Sequence, residues 1–183
     1  MIYFNINRMT ETLIPACKAV IMEPRATFEQ MPKTGFYRDG FGLLSLIILA
    51  AAAISVPFIG FVLIFLLPFI WGTLLICYRL WASYLSWAVR TFGQQKLNPI
   101  NAFQLSAYAA VPMVLGFVPV LGIVASLWNL YLLWLALVAN VKVKESTALV
   151  IIAVPTLVLT VSLVLFADLL LKLLPQLGSM LNP

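Results

Sequence analysis

From Phe41 onward the apolar residues neither alternate nor keep to one stripe; they come in long unbroken runs separated by short charged or prolyl links. A helix rising 1.5 Å per residue needs about 20 such residues to cross some 30 Å of hydrocarbon. The runs predict spans at 41–56, 60–80, 102–117, 120–139 and 147–171. The fold class expected is therefore all-α, a polytopic bundle of about five transmembrane helices. Residues 1–40 read as a cytoplasmic, interfacial N-terminal segment, 41–172 as the bundle and 173–183 as a short outer tail.

Before Phe41 the pattern changes. Leu13, Ile14, Cys17, Val20 and Ile21 recur at helical spacing, with Glu11 and Lys18 elsewhere on the wheel, which predicts an amphipathic helix lying on the membrane. A second short helix opens at Pro24, since proline suits the first helical position, and carries Phe28 and Met31 on one side. Leu13, Cys17, Val20, Ile21, Pro24 and Phe28 are thus candidate docking residues for a lipid or a protein; plain anchoring is the simpler reading. Further along, Asn98-Pro99 and Ser146-Thr147 supply helix N-caps. Val56-Pro57-x-x-Gly60 and Val118-Pro119-x-x-Gly122 mark two outer turns, which read either as a repeated hairpin or as independent prolyl turns.

Charge orients the bundle. Of 11 basic residues, Arg8, Lys18, Arg25, Lys33, Arg38, Arg90, Lys96, Lys142 and Lys144 fall on one side of the predicted spans. The positive-inside rule then places the N-terminus in the cytoplasm and the C-terminus outside. Arg79 falls at the inner end of span two, where a snorkelling anchor is expected, followed by Trp81, Tyr84 and Trp87 as an aromatic belt.

Composition narrows the function. Apolar residues make up 63% of the chain and charged ones 9%, a surplus no soluble fold could bury. There is no histidine and there are only two cysteines, Cys17 and Cys77, so no metal site, cofactor or thiol–imidazole pair is expected. Both thiols belong to the cytoplasmic half, where they stay reduced. The first apolar run begins too late for a cleaved signal peptide, so the first span directs insertion. The net charge of +5 is spread over three links without a basic stripe, which excludes nucleic acid.

Polar groups inside hydrocarbon are costly and are the remaining candidates for chemistry. Asn129, beside Trp128 in span four, reads as an interhelical hydrogen-bonding amide or as part of a ligand site. Asp168 lies near the outer end of span five, one turn from Lys172. Pro68, Pro112 and Pro155 interrupt three spans, with Tyr108 one turn before Pro112; each is a kink or a break that opens a substrate site. No catalytic motif is present, and no enzymatic activity is expected.

The stretches EPRATFEQM before the first span, SAYAAVPMVLGFVPVLGIVASLWNLYLLWLAL across the third and fourth, and VKVKESTALVIIAVP leading into the fifth occur in that order. Together they resemble the Yip family of Ypt-interacting multispan membrane proteins, in particular its short prokaryotic branch. That resemblance implies a membrane bundle with a cytosolic N-terminus and no enzymatic activity, placed in a cytoplasmic (inner) membrane. Eukaryotic members bind small GTPases through a longer N-terminal region and motifs written DLYGP and GY; neither motif occurs here, so GTPase binding does not carry over. The expectation is a scaffold or adaptor holding protein partners at the cytoplasmic face, a second copy of the chain among them, in contact with membrane lipids. The alternative is a small transporter, channel or lipid-handling protein, which would need a polar cavity reaching mid-membrane.

Overall fold

The computed structural model describes residues 3–33, 37–60, 62–116, 118 and 120–181. After a 3₁₀ turn at Ile6–Arg8, the helices are α1 (Met9–Met22), α2 (Pro24–Gln30), α3 (Tyr37–Ile59), α4 (Val62–Phe92), α5 (Pro99–Ala109), α6 (Leu121–Ala139) and α7 (Glu145–Leu181). A second 3₁₀ segment, Val111–Leu115, joins α5 to the turn before α6. Among the described residues four helical stretches are long and apolar enough to cross a membrane: Tyr37–Pro57, Phe65–Phe92, Leu121–Ala139 and Glu145–Phe166.

The third expected span, 102–117, is not one helix. Asn98 accepts a hydrogen bond from the Ile100 amide and Pro99 opens α5, but the helix stops at Ala109. Pro112 has no N–H to give, and its ring would clash with the Tyr108 carbonyl one turn back. The chain tightens to 3₁₀ instead. At about 1.5 and 2.0 Å per residue the two pieces together rise roughly 26 Å, close to the hydrocarbon thickness.

The second span is longer than expected. Instead of ending near Leu80, α4 continues to Phe92, because Ala82, Leu85, Ala88 and Val89 present a buried stripe that packs on α5. It ends where Gly93 donates to the Val89 carbonyl at 2.9 Å and Gln94 turns left-handed at φ 52°. Arg79 is therefore inside α4 rather than at its end. The last helix also outruns its expected limits, starting at Glu145 and passing 171.

α5 is the axis of the molecule, with every residue from Asn101 to Ala109 buried. Gly40 of α3 lets the two backbones approach: a Cβ there would lie 3.4 Å from the Gln104 Cα and 3.2 Å from the Phe103 ring. Around this axis α3 is half buried over its apolar window (50%), whereas α4 and α7 are buried over only 11% and 12% of theirs. Phe65 at 80% exposure and Phe69 at 75% require a hydrocarbon solvent, as the outer faces of an integral membrane protein do. The two turns at Pro57 and before Gly122 are built differently. Pro57 is absorbed into α3, which ends at Gly60 with φ +88°. In the other turn Gly122 lies so close to the Gly116 carbonyl that no Cβ fits.

Candidate functional site

The N-terminal segment is bolted to the bundle by polar groups from three helices. The Phe4 amide donates to the buried Tyr108 hydroxyl of α5 at 2.7 Å. The Ile6 amide donates to Asp39 Oδ1 at 3.2 Å, at the start of α3. Beyond the end of α6, Asn140 Nδ2 donates to the carbonyls of Phe28 and Met31, both at 2.9 Å, while its Oδ1 accepts from Asn101 Nδ2 of α5 at 3.3 Å. The corner between α1 and α2 is stitched by the Thr27 hydroxyl, placed 3.0 Å from the Ala19 carbonyl and 2.8 Å from that of Glu23. Such buried pairings are expensive to leave unmade, which is why the segment holds one position.

Apolar packing follows the same lines. Phe4, Ala16, Val20, Phe28 and Met31 all belong to the common core. Of the candidate docking residues, Val20 and Phe28 are fully buried, Leu13, Cys17 and Pro24 are half-buried, and Ile21 is exposed. The exposed large apolar residues of α1 are Met9, Ile14, Ile21 and Met22. Three of them, Ile14, Ile21 and Met22, line a groove of about 510 Å³ between α1 and α3, together with Leu13, Leu46 and Ala50. Burial pushes the Cys17 thiol above its ordinary pKa, and both cysteines are free.

A second polar locus lies inside the bundle. The Asn129 side chain of α6 lies beside the Tyr78 hydroxyl of α4, where an amide in a span can serve as an interhelical partner. The two residues line a crevice of about 270 Å³ with Cys77, Trp81, Ser106 and Leu159. The Ser106 hydroxyl is turned back to the Ala102 carbonyl at 2.8 Å, so the crevice offers few free polar groups. Trp128 stands outside it, exposed and edge-on to Tyr131. Pro155 is half-buried within α7 without ending the helix.

The Arg79 guanidinium lies 4.4 Å from the Tyr37 ring centroid, a cation–π contact joining α4 to the first turn of α3. Asp168 lies in α7, but its side chain, like that of Lys172, is outside the described residues. Among the described residues no group of three or more acidic, cysteine or histidine side chains is placed to hold a metal.

Asn140 and Asn101, which carry the lock, and Gln104 beside them have no signal in the hydropathy pattern. Asn140 precedes a lysine-bearing link, where a polar residue is unremarkable, and its partners lie 109 and 112 positions away. Asn101 and Gln104 share a face of α5, and the Oδ1 and Oε1 atoms of their amides are buried with no partner among the described residues.

Residues 18–166 match the family model described as the Yip1 domain. No curated protein matches, and neither does any solved structure.

Proposed function

Because the chain belongs to the Yip1 domain family, we propose that it is a non-catalytic scaffold that organises protein partners at the cytoplasmic face of its membrane. The observation that supports this reading most is the buried lock of Phe4, Ile6, Phe28 and Met31 onto Tyr108, Asp39 and Asn140. A segment that only tethered the chain would need no such pairing. A fixed one presents the same outward residues, Glu11, Glu29 and Gln30, in every copy. Gln94, Gln95 and Lys96 extend the exposed polar surface at the link between α4 and α5. In this reading the N-terminus is cytoplasmic, the membrane is the inner one, and the partners are proteins, other copies of the chain included.

The alternative is a small transporter or lipid-handling protein, and the Asn129–Tyr78 crevice favours it. Its lining is mostly apolar and its volume about 270 Å³, below the roughly 300–1,000 Å³ of most ligand sites.

Photo-crosslinking in the native membrane separates the two readings. A crosslinking residue at Gln30 or Gln95 is expected to capture discrete proteins that one at Phe65, on the lipid-facing side, does not. Absence of protein adducts at both polar positions, with solute or lipid movement in proteoliposomes above empty-vesicle controls, would replace the scaffold by the transporter.

A further inference from the structure

Two cavities meet at one pair of rings. Between α6 and α7 lies an open groove of about 740 Å³, walled by Leu130, Leu149, Ile152, Leu157 and their neighbours. Among the described residues its hydroxyls outside the ring pair are those of Thr156 and Thr160, and both are spent on backbone carbonyls one turn back, at 2.7 and 2.8 Å. The groove is therefore as apolar as a lipid tail. Tyr131 and Trp134 form its wall at one end and also line the adjoining cavity, of about 460 Å³, whose far side is Glu23, Arg25 and Glu145.

The geometry points to one phospholipid bound along this path, with an acyl chain between α6 and α7 and the headgroup among Glu23, Arg25 and Glu145. Trp134 sits at the junction, its Nε1 donating to the Glu145 carbonyl at 3.2 Å, and its ring tilts against that of Tyr131 at 6.0 Å. Amphipathic rings at the boundary between an apolar groove and charged side chains mark the headgroup level.

Charge selects the headgroup. Two carboxylates and one guanidinium leave the pocket with a formal deficit of one, so an anionic headgroup is disfavoured and a cation is wanted beside the carboxylates. Arg25 spends its Nε on Glu29 at 3.3 Å, and its fork also suits a phosphate. The match is a headgroup carrying a primary ammonium and a phosphate, as in phosphatidylethanolamine. Its ammonium has three N–H donors for Glu23 and Glu145, where a choline has none.

The test uses the full-length chain in mild detergent, titrated with phosphatidylethanolamine, phosphatidylcholine and phosphatidylglycerol of identical chains and read by native mass spectrometry. Retention of the ethanolamine lipid is expected to exceed the other two roughly three-fold, the size of two partly exposed charge contacts. Glu23→Gln with Glu145→Gln should erase that preference while lipid still binds. Ala153→Trp, at an exposed position of the groove, should lower retention of all three lipids, and Leu157→Trp repeats the test from a second exposed position. Equal retention of the three lipids by the unaltered chain, or preference for the glycerol headgroup, would overturn the headgroup assignment. Undiminished binding to both tryptophan variants would overturn the groove.

Discussion

At the scale of single residues, Asn140 carries more of the structure than its position suggests. Its side chain satisfies two carbonyls of the N-terminal segment and accepts from Asn101, with 3% of its surface exposed. Asn140→Ala takes the partner from the Met31 carbonyl and from Asn101 Nδ2, while the Phe28 carbonyl keeps the Met31 amide at 3.3 Å, and at about 1–3 kcal/mol per orphaned group a net loss of about 2 to 3 kcal/mol is expected in detergent melts. Asn129→Leu breaks one interhelical contact and should cost about 1 kcal/mol. The reverse ranking would mean that the crevice, not the lock, organises the fold. Cys17 gives an independent readout in a Cys77→Ser background. With its pKa raised by burial, the thiolate that alkylating reagents require is scarce at neutral pH and grows as pH rises through the elevated value. Alkylation of the intact chain should be slow at neutral pH and accelerate at alkaline pH, whereas Asn140→Ala should shift that rise toward the value of a free cysteine.

Among the elements, α1, α2 and the four long helices are legible in the hydropathy pattern, because each is written in a local period or an unbroken run. α2 opens at Pro24 with Phe28 buried, as its spacing implies. What a local pattern cannot report is where a helix stops when its neighbour decides. α4 runs on to Phe92 because α5 covers Ala82, Leu85 and Val89, and α5 breaks because Pro112 meets a buried turn. The docking of the N-terminal segment is of the same kind, since Gly42 reads as an ordinary residue of an apolar run. In the fold it is the seat of that segment: a Cβ on Gly42 would lie 2.7 Å from Ile6 Cδ1 and 3.2 Å from the Phe4 ring. Gly42→Ala leaves Ile6 room to rotate and should cost under about 1 kcal/mol, whereas Gly42→Leu overpacks the seat by about 1 to 3 kcal/mol. Limited proteolysis checks this. The leucine variant should be cut within residues 1–36 while α3 to α7 stay protected, and equal protection of both variants would show that the seat is softer than its contacts imply.

For the whole molecule, the number of crossings decides which side of the membrane each terminus occupies, and the broken helix α5 decides the number. Four long helices alone would return the chain to the side where it began. The direction of α5 can be followed through its contacts. Ser86 of α4 bonds the Leu97 carbonyl at 2.6 Å, and further back along α4 Tyr78 shares a crevice with Ser106, so α5 runs antiparallel to α4. Gly40 meets Phe103 and Gln104, while Leu44 to Ala51 line one cavity with Ala110 and Met113, so α5 with its 3₁₀ extension runs parallel to α3. A segment that runs beside the first span and rises roughly 26 Å is long enough to complete a crossing. In the reading proposed above the bundle crosses five times, with the N-terminus inside as the positive-inside rule would have it. We expect a reporter fused after Pro183 to be active only outside the cytoplasm and one fused before Met1 only inside. Truncation after Gly93 should place the same reporter inside, and truncation after Gly116 should place it outside, because the broken helix is the step between them. Both full-length fusions active on one side, with no change of side between Gly93 and Gly116, would show that α5 re-enters and leaves on the same face, and that four crossings are the true count.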